Sequence, residues 1–312
     1  MSRSRRLLLL AALAGCLMAA VAPAAAQARY SGPCLPNGSG PQCNFWNGTV
    51  PHGGVGDGDT LTVNYEGKSK RVRVTGIQAM EMTRYSSYPD RRRGECHSVA
   101  AANRLESLVK QARGRVRIAA QNPNARTGSR IRRSLAVWID GRWQDVGRKL
   151  VDEGHALWLP NSGEYAWNQT LATLSQRAAA AGRRIWDRDF CGAGPSAPDQ
   201  VRMSLRYDAE GADQDNVNGE YAVIRNAGTR PMAIGGWYFR DSSLRRYHFP
   251  AGTSVAPGKS VTLHMGKGNR TSTLFFWGYD KPLFENSGDG GYLFDPQGDL
   301  RAWVVYPCRF AC

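Results

Sequence analysis

Asp57 and Asp59 flank Gly58 and stand immediately before Thr60. Arg73 lies thirteen residues after Thr60, Glu81 eight residues after Arg73, and Arg133 within Arg132-Arg133-Ser134-Leu135-Ala136. Phosphodiester hydrolysis needs these side-chain types. One carboxylate can hold a hard metal ion, a second can steer water, and two guanidiniums can clamp phosphate oxygens. Guanidinium suits that last role because it is planar, permanently charged and bidentate toward phosphate. Singly, each residue has an ordinary reading: an Asp-Gly turn, a surface glutamate, a solvated arginine. Their order and spacing together carry the signal, since an Asp-Gly-Asp-Thr stretch alone is weak.

These residues need elements to position them. Leu61–Tyr65 alternates like a strand, Glu66-Gly67 supplies a turn, and Arg71–Val74 alternates again. Arg115–Ile118 and Leu135–Ile139 read as further strands, the latter closed by Asp140-Gly141. In a strand, alternate residues face one side, so Asp57 and Asp59 can point into one pocket. Ser98–Gln111 places Ala101, Leu105 and Leu108 at helical spacing; Val146–Glu153 ends at Gly154; Ala166–Ala181 stops at Gly182. Short strands with a few helices predict a small β-barrel in a mixed α+β unit. Residues 29–54 are rich in Gly, Pro and Asn and read as a loop, and residues 192–199 read as a linker. Beyond the linker the pattern is wholly β. Strands are expected at Glu220–Asn226, Gly236–Phe239, Ser260–His264, Tyr292–Phe294 and Ala302–Val305, which argues a sandwich over residues 200–312.

The Asp-Gly-Asp-Thr stretch, Arg73, Gln78-Ala79-Met80-Glu81 and Arg133 before Leu-Ala together resemble the staphylococcal nuclease-like (thermonuclease) family. Its pattern is DGDT, an Arg-containing strand ending in Asp-Thr/Ala-Pro-Glu, and a second Arg before Leu-Ala. The resemblance spans roughly residues 45 to 190, within a unit taken as 55–191, and implies an OB-fold barrel. It implies a calcium ion held by Asp59, Gln78 and the Ala79 carbonyl, with Asp57 in support. Glu81 would act on water, and Arg73 and Arg133 would contact phosphate. The expected activity is cleavage of DNA and RNA, leaving 3′-phosphates. Gln78 stands where the family has an aspartate. A neutral amide oxygen can still coordinate calcium, with a weaker field than a carboxylate. The alternative is a non-catalytic nucleic-acid-binding barrel. In the second half, Gly219–Ile224, Gly235-Gly236-Trp237 and Phe249–Thr253 resemble the lamin-tail domain, an immunoglobulin-like sandwich. That resemblance implies binding or tethering to a cell-envelope or protein partner, not a chemistry.

Charge points the same way. Residues 29–199 carry 25 Lys+Arg against 15 Asp+Glu, whereas residues 200–312 carry 13 against 11. The first half thus has the electrostatic footprint of a polyanion binder. Arg91-Arg92-Arg93, after Tyr85, Tyr88 and Pro89, mixes cations and rings as single-strand binders do, or is simply an exposed basic loop. His52, His97 and His155 show no ligand spacing, and Asp208, Glu210, Asp213 and Asp215 read as a solvated acidic loop. At the N-terminus, Arg3, Arg5 and Arg6 precede an apolar run, and Ala26-Gln27-Ala28 offers a cleavage site, so residues 1–28 read as a signal for secretion. Leu13-Ala14-Gly15-Cys16 also resembles a lipobox, which would anchor the chain at Cys16. No later segment is long and apolar enough to span a membrane. Six cysteines follow the signal, an even count that suits disulfides in an exported chain. Local closure favours Cys34–Cys43 and Cys308–Cys312, leaving Cys96 for Cys191.

Overall fold

The computed structural model describes residues 42–82, 94–188, 190 and 200–306. The leader with Cys16, the Tyr85–Arg93 aromatic-basic stretch, the linker, and Cys34, Cys191, Cys308 and Cys312 lie outside the described residues. Cys43 and Cys96 are each disulfide-bonded.

The first half runs β1 (Asn44–Thr49), β2 (Thr60–Tyr65), β3 (Lys68–Val74), β4 (Ile77–Ala79), α1 (Ser98–Gln111), β5 (Arg115–Ala120), β6 (Arg126–Thr127), β7 (Arg130–Ile139), β8 (Arg142–Asp145), α2 (Val146–Asp152), β9 (Ala156–Trp158) and α3 (Asn168–Ala180). Five strands close on themselves: β1 pairs with β2, β2 with β3, β3 with β7 in parallel, β7 with β5, and β5 with β1. Alternation sends Leu61, Val63, Val72, Val74, Ile118 and Leu135 inward, where they are buried. The helices pack their apolar faces outside this ring, α1 through Ala101, Leu105 and Leu108.

Two expectations change. Residues 44–49 were expected in a loop but form β1, paired with β5 from Asn44↔Ala120 to Thr49↔Arg115. Asn and Gly suppress local strand signal, and pairing to a neighbour overrides it. Strand β7 starts at Arg130, five residues before the apolar run that predicts it. Arg130 and Arg132 lie on one face and Ile131 and Arg133 on the other, so arginine on both faces hides the period-2 pattern.

The second half holds β10 (Val201–Arg206), β11 (Tyr221–Asn226), β12 (Met232–Ala233), β13 (Tyr238–Asp241), β14 (Arg246–His248), β15 (Ser254–Val255), β16 (Ser260–His264), β17 (Leu274–Phe276), β18 (Asp289–Phe294) and β19 (Leu300–Tyr306). Two four-stranded sheets, β10-β11-β16-β17 and β14-β13-β18-β19, enclose Ile224, Phe239, Phe249, Leu263 and Leu293 in an immunoglobulin-like sandwich. In the acidic 208–215 loop, Asp213 accepts from the Ala209 N–H at 3.0 Å and from Asn286 Nδ2 at 2.7 Å.

The halves share a hydrophobic cluster. Met80, Leu157, Ala178, Ile185 and Trp186 meet Tyr238, Tyr292, Phe294 and Leu300. Trp186 packs edge-on to Trp303 at 5.3 Å. Each fully buried large apolar side chain contributes about 1.5–3 kcal/mol, so this contact is a structural joint. Among the described residues no helix is long and apolar enough to cross a membrane.

Candidate functional site

The Asp57–Thr60 turn delivers Asp59 to the mouth of the barrel. Asp57 Oδ1 accepts from the Asp59 N–H at 3.0 Å, an Asx turn that sets the approach to β2. A Cβ on Gly58 would lie 2.6 Å from the Cβ atoms of both Ala79 and Ala101, so only glycine lets this turn close against β4 and α1. Register then pairs Thr60 with Arg73 across the β2–β3 hairpin, which sets the two side chains of the site next to one another.

Asp59 and Arg73 are both buried and form an ion pair through Asp59 Oδ1. Thr60 Oγ1 donates to the same oxygen at 3.0 Å, and Asp59 Oδ2 accepts from the Ala79 N–H at 2.7 Å. Burial pushes the Asp59 carboxyl up to about 7; Arg73 pulls it down and Asp57 adds to the rise. The other arm of Arg73 donates to Gln78 Oε1. The short β4–β9 ladder, with Gln78 opposite Leu157, holds Gln78 there. Its Nε2 donates to the Ala79 carbonyl and to Glu81 Oε1, each at 2.9 Å. This amide orientation is dictated by its partners: guanidinium can only donate, while carbonyl and carboxylate can only accept. Asp59, Arg73, Gln78, Ala79 and Glu81 are thus brought into one hydrogen-bonded line, with Asp57 supporting its start.

Every oxygen that the family resemblance assigns to calcium is already engaged. Arg73 and Thr60 occupy Asp59 Oδ1, Ala79 N–H occupies Oδ2, Arg73 occupies Gln78 Oε1, and Gln78 Nε2 occupies the Ala79 carbonyl. Calcium takes about six to eight oxygens. Among the described residues no group of three or more His, Cys, Asp or Glu side chains is placed to hold a metal ion. As arranged, the donor set does not fit calcium: an amide N–H group bridges the Ala79 carbonyl and Glu81, where a cation would need free oxygens.

Arg133 is not the second arginine of the cluster. Register pairs Arg73 with Arg132, and Arg133 with the inward-facing Val74. Arg133 is buried at the barrel end, 4.7 Å over the Trp46 ring, and donates to the carbonyls of Arg132 at 2.6 Å and Pro123 at 2.7 Å. Arg130 and Arg132, three and one places earlier in β7, face out beside Arg73, and all three line a cavity of about 170 Å³. Arg130 also donates to Thr60 Oγ1 at 3.0 Å. Burial, and then the neighbouring Arg73, hold Arg132 below the ordinary guanidinium range. Strand alternation, applied back from Leu135, separates Arg132 from Arg133 and could have found this.

Glu95 was also missed. Its N–H donates to the Glu81 carbonyl at 2.9 Å, and its carboxylate accepts from the Glu81 N–H at 2.8 Å. No sequence signal distinguishes it from other glutamates, because its contacts to the site segment are with backbone groups. Met80 stands where the family motif has proline and is buried in the cluster between the halves.

No curated protein matches the chain. A family match covers the sandwich and does not extend to the barrel: residues 195–308 match the Lamin Tail Domain.

Proposed function

We propose that this protein is an exported phosphodiesterase acting on nucleic-acid backbone, with an OB-fold barrel of the staphylococcal nuclease type as its catalytic half. The observation that carries the reading is the single line Asp59–Arg73–Gln78–Glu81 beside a cavity lined by three arginines. The barrel's closed ring, with β3 parallel to β7, supports the fold assignment. Arg73, Arg130 and Arg132 would neutralise the phosphoryl oxygens as charge builds on the pentacoordinate transition state. Asp59 holds Arg73 in place. Glu81, held through one oxygen by Gln78 Nε2, would take a proton from water as its oxygen attacks phosphorus and the leaving oxygen departs. DNA and RNA, and 3′-phosphate products, are the substrates and products that the resemblance implies. The lamin-tail half would add an envelope or protein contact.

A second reading is favoured by Gln78 itself. An amide has replaced the family carboxylate and ties off the remaining oxygens, which suits a barrel that binds polymer without cutting it. Incubation of the mature protein with single-stranded DNA across a calcium titration, with a chelator control, separates these. Cleavage that survives chelation supports hydrolysis by the arrangement described. Cleavage only with calcium shows that the ion displaces the Gln78 bridge and that the family chemistry holds. Salt-sensitive retention without cleavage supports the binding reading. Neither retention nor cleavage sinks both.

A further inference from the structure

The three-arginine cavity is not a feature of the barrel alone. Its facing wall includes Ser243 and Leu244, from the turn between β13 and β14 of the lamin-tail half. A neighbouring cavity of about 150 Å³, which shares Arg132, is walled by Glu285 and Ser287 of the same half. The turn is firmly built. Asp241 is fully buried, and its Oδ1 accepts from the N–H groups of Ser243 at 3.0 Å and Arg245 at 2.9 Å. Its Oδ2 pairs with the Arg245 side chain, which also donates to the Leu283 carbonyl at 2.9 Å. The result holds Leu244 at a φ of 74°, a left-handed backbone that a bulky residue rarely adopts.

The same hairpin reaches the site segment by two further contacts. Arg246 pairs with Glu95, the residue that grips Glu81 by both its N–H and its carbonyl. Gly94, at a φ of 72°, brings this grip close: a Cβ there would lie 3.1 Å from the Glu81 carbonyl oxygen. Arg240, fully buried, sets its guanidinium 3.9 Å from Met80 Sδ, between Ala79 and Glu81. The segment carrying Gln78 and Glu81 is therefore held from the barrel side by β9 and from the other side by the lamin-tail half.

We propose that the lamin-tail half is a working part of the phosphate site: its 242–245 turn walls the substrate cavity, and Arg246, acting through Glu95, is a positioning residue for Glu81. The proposal rests on the reading of the cavity as a phosphate site. It assigns the lamin-tail half a role in substrate handling beyond tethering. Leu244 contributes shape to the cavity and Arg246 contributes geometry to the water-handling carboxylate. Arg246 touches neither phosphate nor water.

The test uses the full chain and a short oligothymidylate, with binding read by anisotropy and cleavage by gel. Binding of the oligothymidylate by the unaltered protein is the first arm; its absence overturns the phosphate-site reading itself. Given that binding, Leu244→Gly removes the wall while relieving the left-handed backbone, so loss of folding cannot mimic the result. Affinity should fall by about three- to tenfold with the melting temperature held or raised. Arg246→Ala should leave affinity within about twofold but lower the cleavage rate about tenfold, and Arg246→Lys should restore most of it. In a protein that binds without cutting, the Leu244 arm alone decides. Unchanged affinity in Leu244→Gly overturns the proposal, as does an Arg246→Ala variant of a cutting enzyme whose rate is unaltered. A rate loss in Arg246→Ala that tracks a fall in melting temperature, with no rescue by lysine, overturns the positioning role.

Discussion

Replacing Gln78 by aspartate tests the Gln78 bridge most directly. The amide nitrogen makes two hydrogen bonds, one to the buried Ala79 carbonyl and one to the Glu81 carboxylate. A neutral bond contributes about 1 kcal/mol and one to a charged group about 1.5–3 kcal/mol, so losing both removes roughly 3 kcal/mol. The new carboxylate gains attraction to Arg73 but stands near Asp59 and Glu81, and these terms oppose one another. Without calcium, Gln78→Asp should melt roughly 6–12 °C lower than the native protein. The same change frees the Ala79 carbonyl and Glu81 and adds an oxygen donor, which converts an engaged donor set into one able to take a cation. Calcium at about a hundred times its dissociation constant returns about 2.7 kcal/mol, nearly the whole loss. Scanning calorimetry of both proteins, with calcium and with chelator, reads this out. The native protein should show little calcium response and the variant a large one. An equal calcium-induced rise in both proteins, or no loss in the chelated variant, would refute the claim that the Gln78 amide fills the cation's place.

Glu81→Gln should lower any cleavage rate by about 10²- to 10⁴-fold while leaving DNA retention largely intact, as gel assay and filter retention would show; near-normal cleavage would remove Glu81 from the mechanism. Arg132→Ala should weaken oligonucleotide binding with little change in melting temperature, whereas Arg133→Ala should do the reverse, because Arg133 stacks on Trp46 and binds two carbonyls; the opposite outcome would return Arg133 to the phosphate. Burial pushes the Asp289 carboxyl up to about 7, so its contribution to stability is full below the unfolded value near 4 and is lost as pH rises through about 7. Asp289→Asn should flatten that part of the melting-temperature profile, by at most about 4 kcal/mol, and an unchanged slope between pH 4 and 8 would count against it. Peptide mapping without reduction should join Cys96 to Cys191; a Cys96 peptide linked elsewhere sinks that pairing.

Much of the fold was legible because its elements carry their own signals. Ser98–Gln111 was expected as a helix from three apolar positions and is α1 to the residue. Ser260–His264 alternates and is β16. Strand β1 was hidden because its conformation comes from a partner seventy residues away and not from its own Asn and Gly content. At the site, the order of Asp59, Arg73, Gln78 and Glu81 was readable because turn and hairpin geometry fix it locally. The second arginine was not, since a motif counts positions while a strand sorts them by face, and one place in β7 exchanges cavity for core. Glu95 and Arg246 were out of reach: one acts on backbone and the other arrives from another part of the chain.

The joint between the halves also bears on how the molecule is made. Arg240 and Met80 are 160 positions apart, and Arg246 and Glu95 are 151 apart. A chain synthesised from its N-terminus finishes most of the barrel before either arginine exists, and domains tend to fold in that order. Met80 then waits as exposed apolar surface, and Glu81 waits without the salt bridge that steadies its neighbour. Completion of the site is thus tied to arrival of the last third of the chain, so a truncated product would carry the arginine-lined barrel but not the finished cavity.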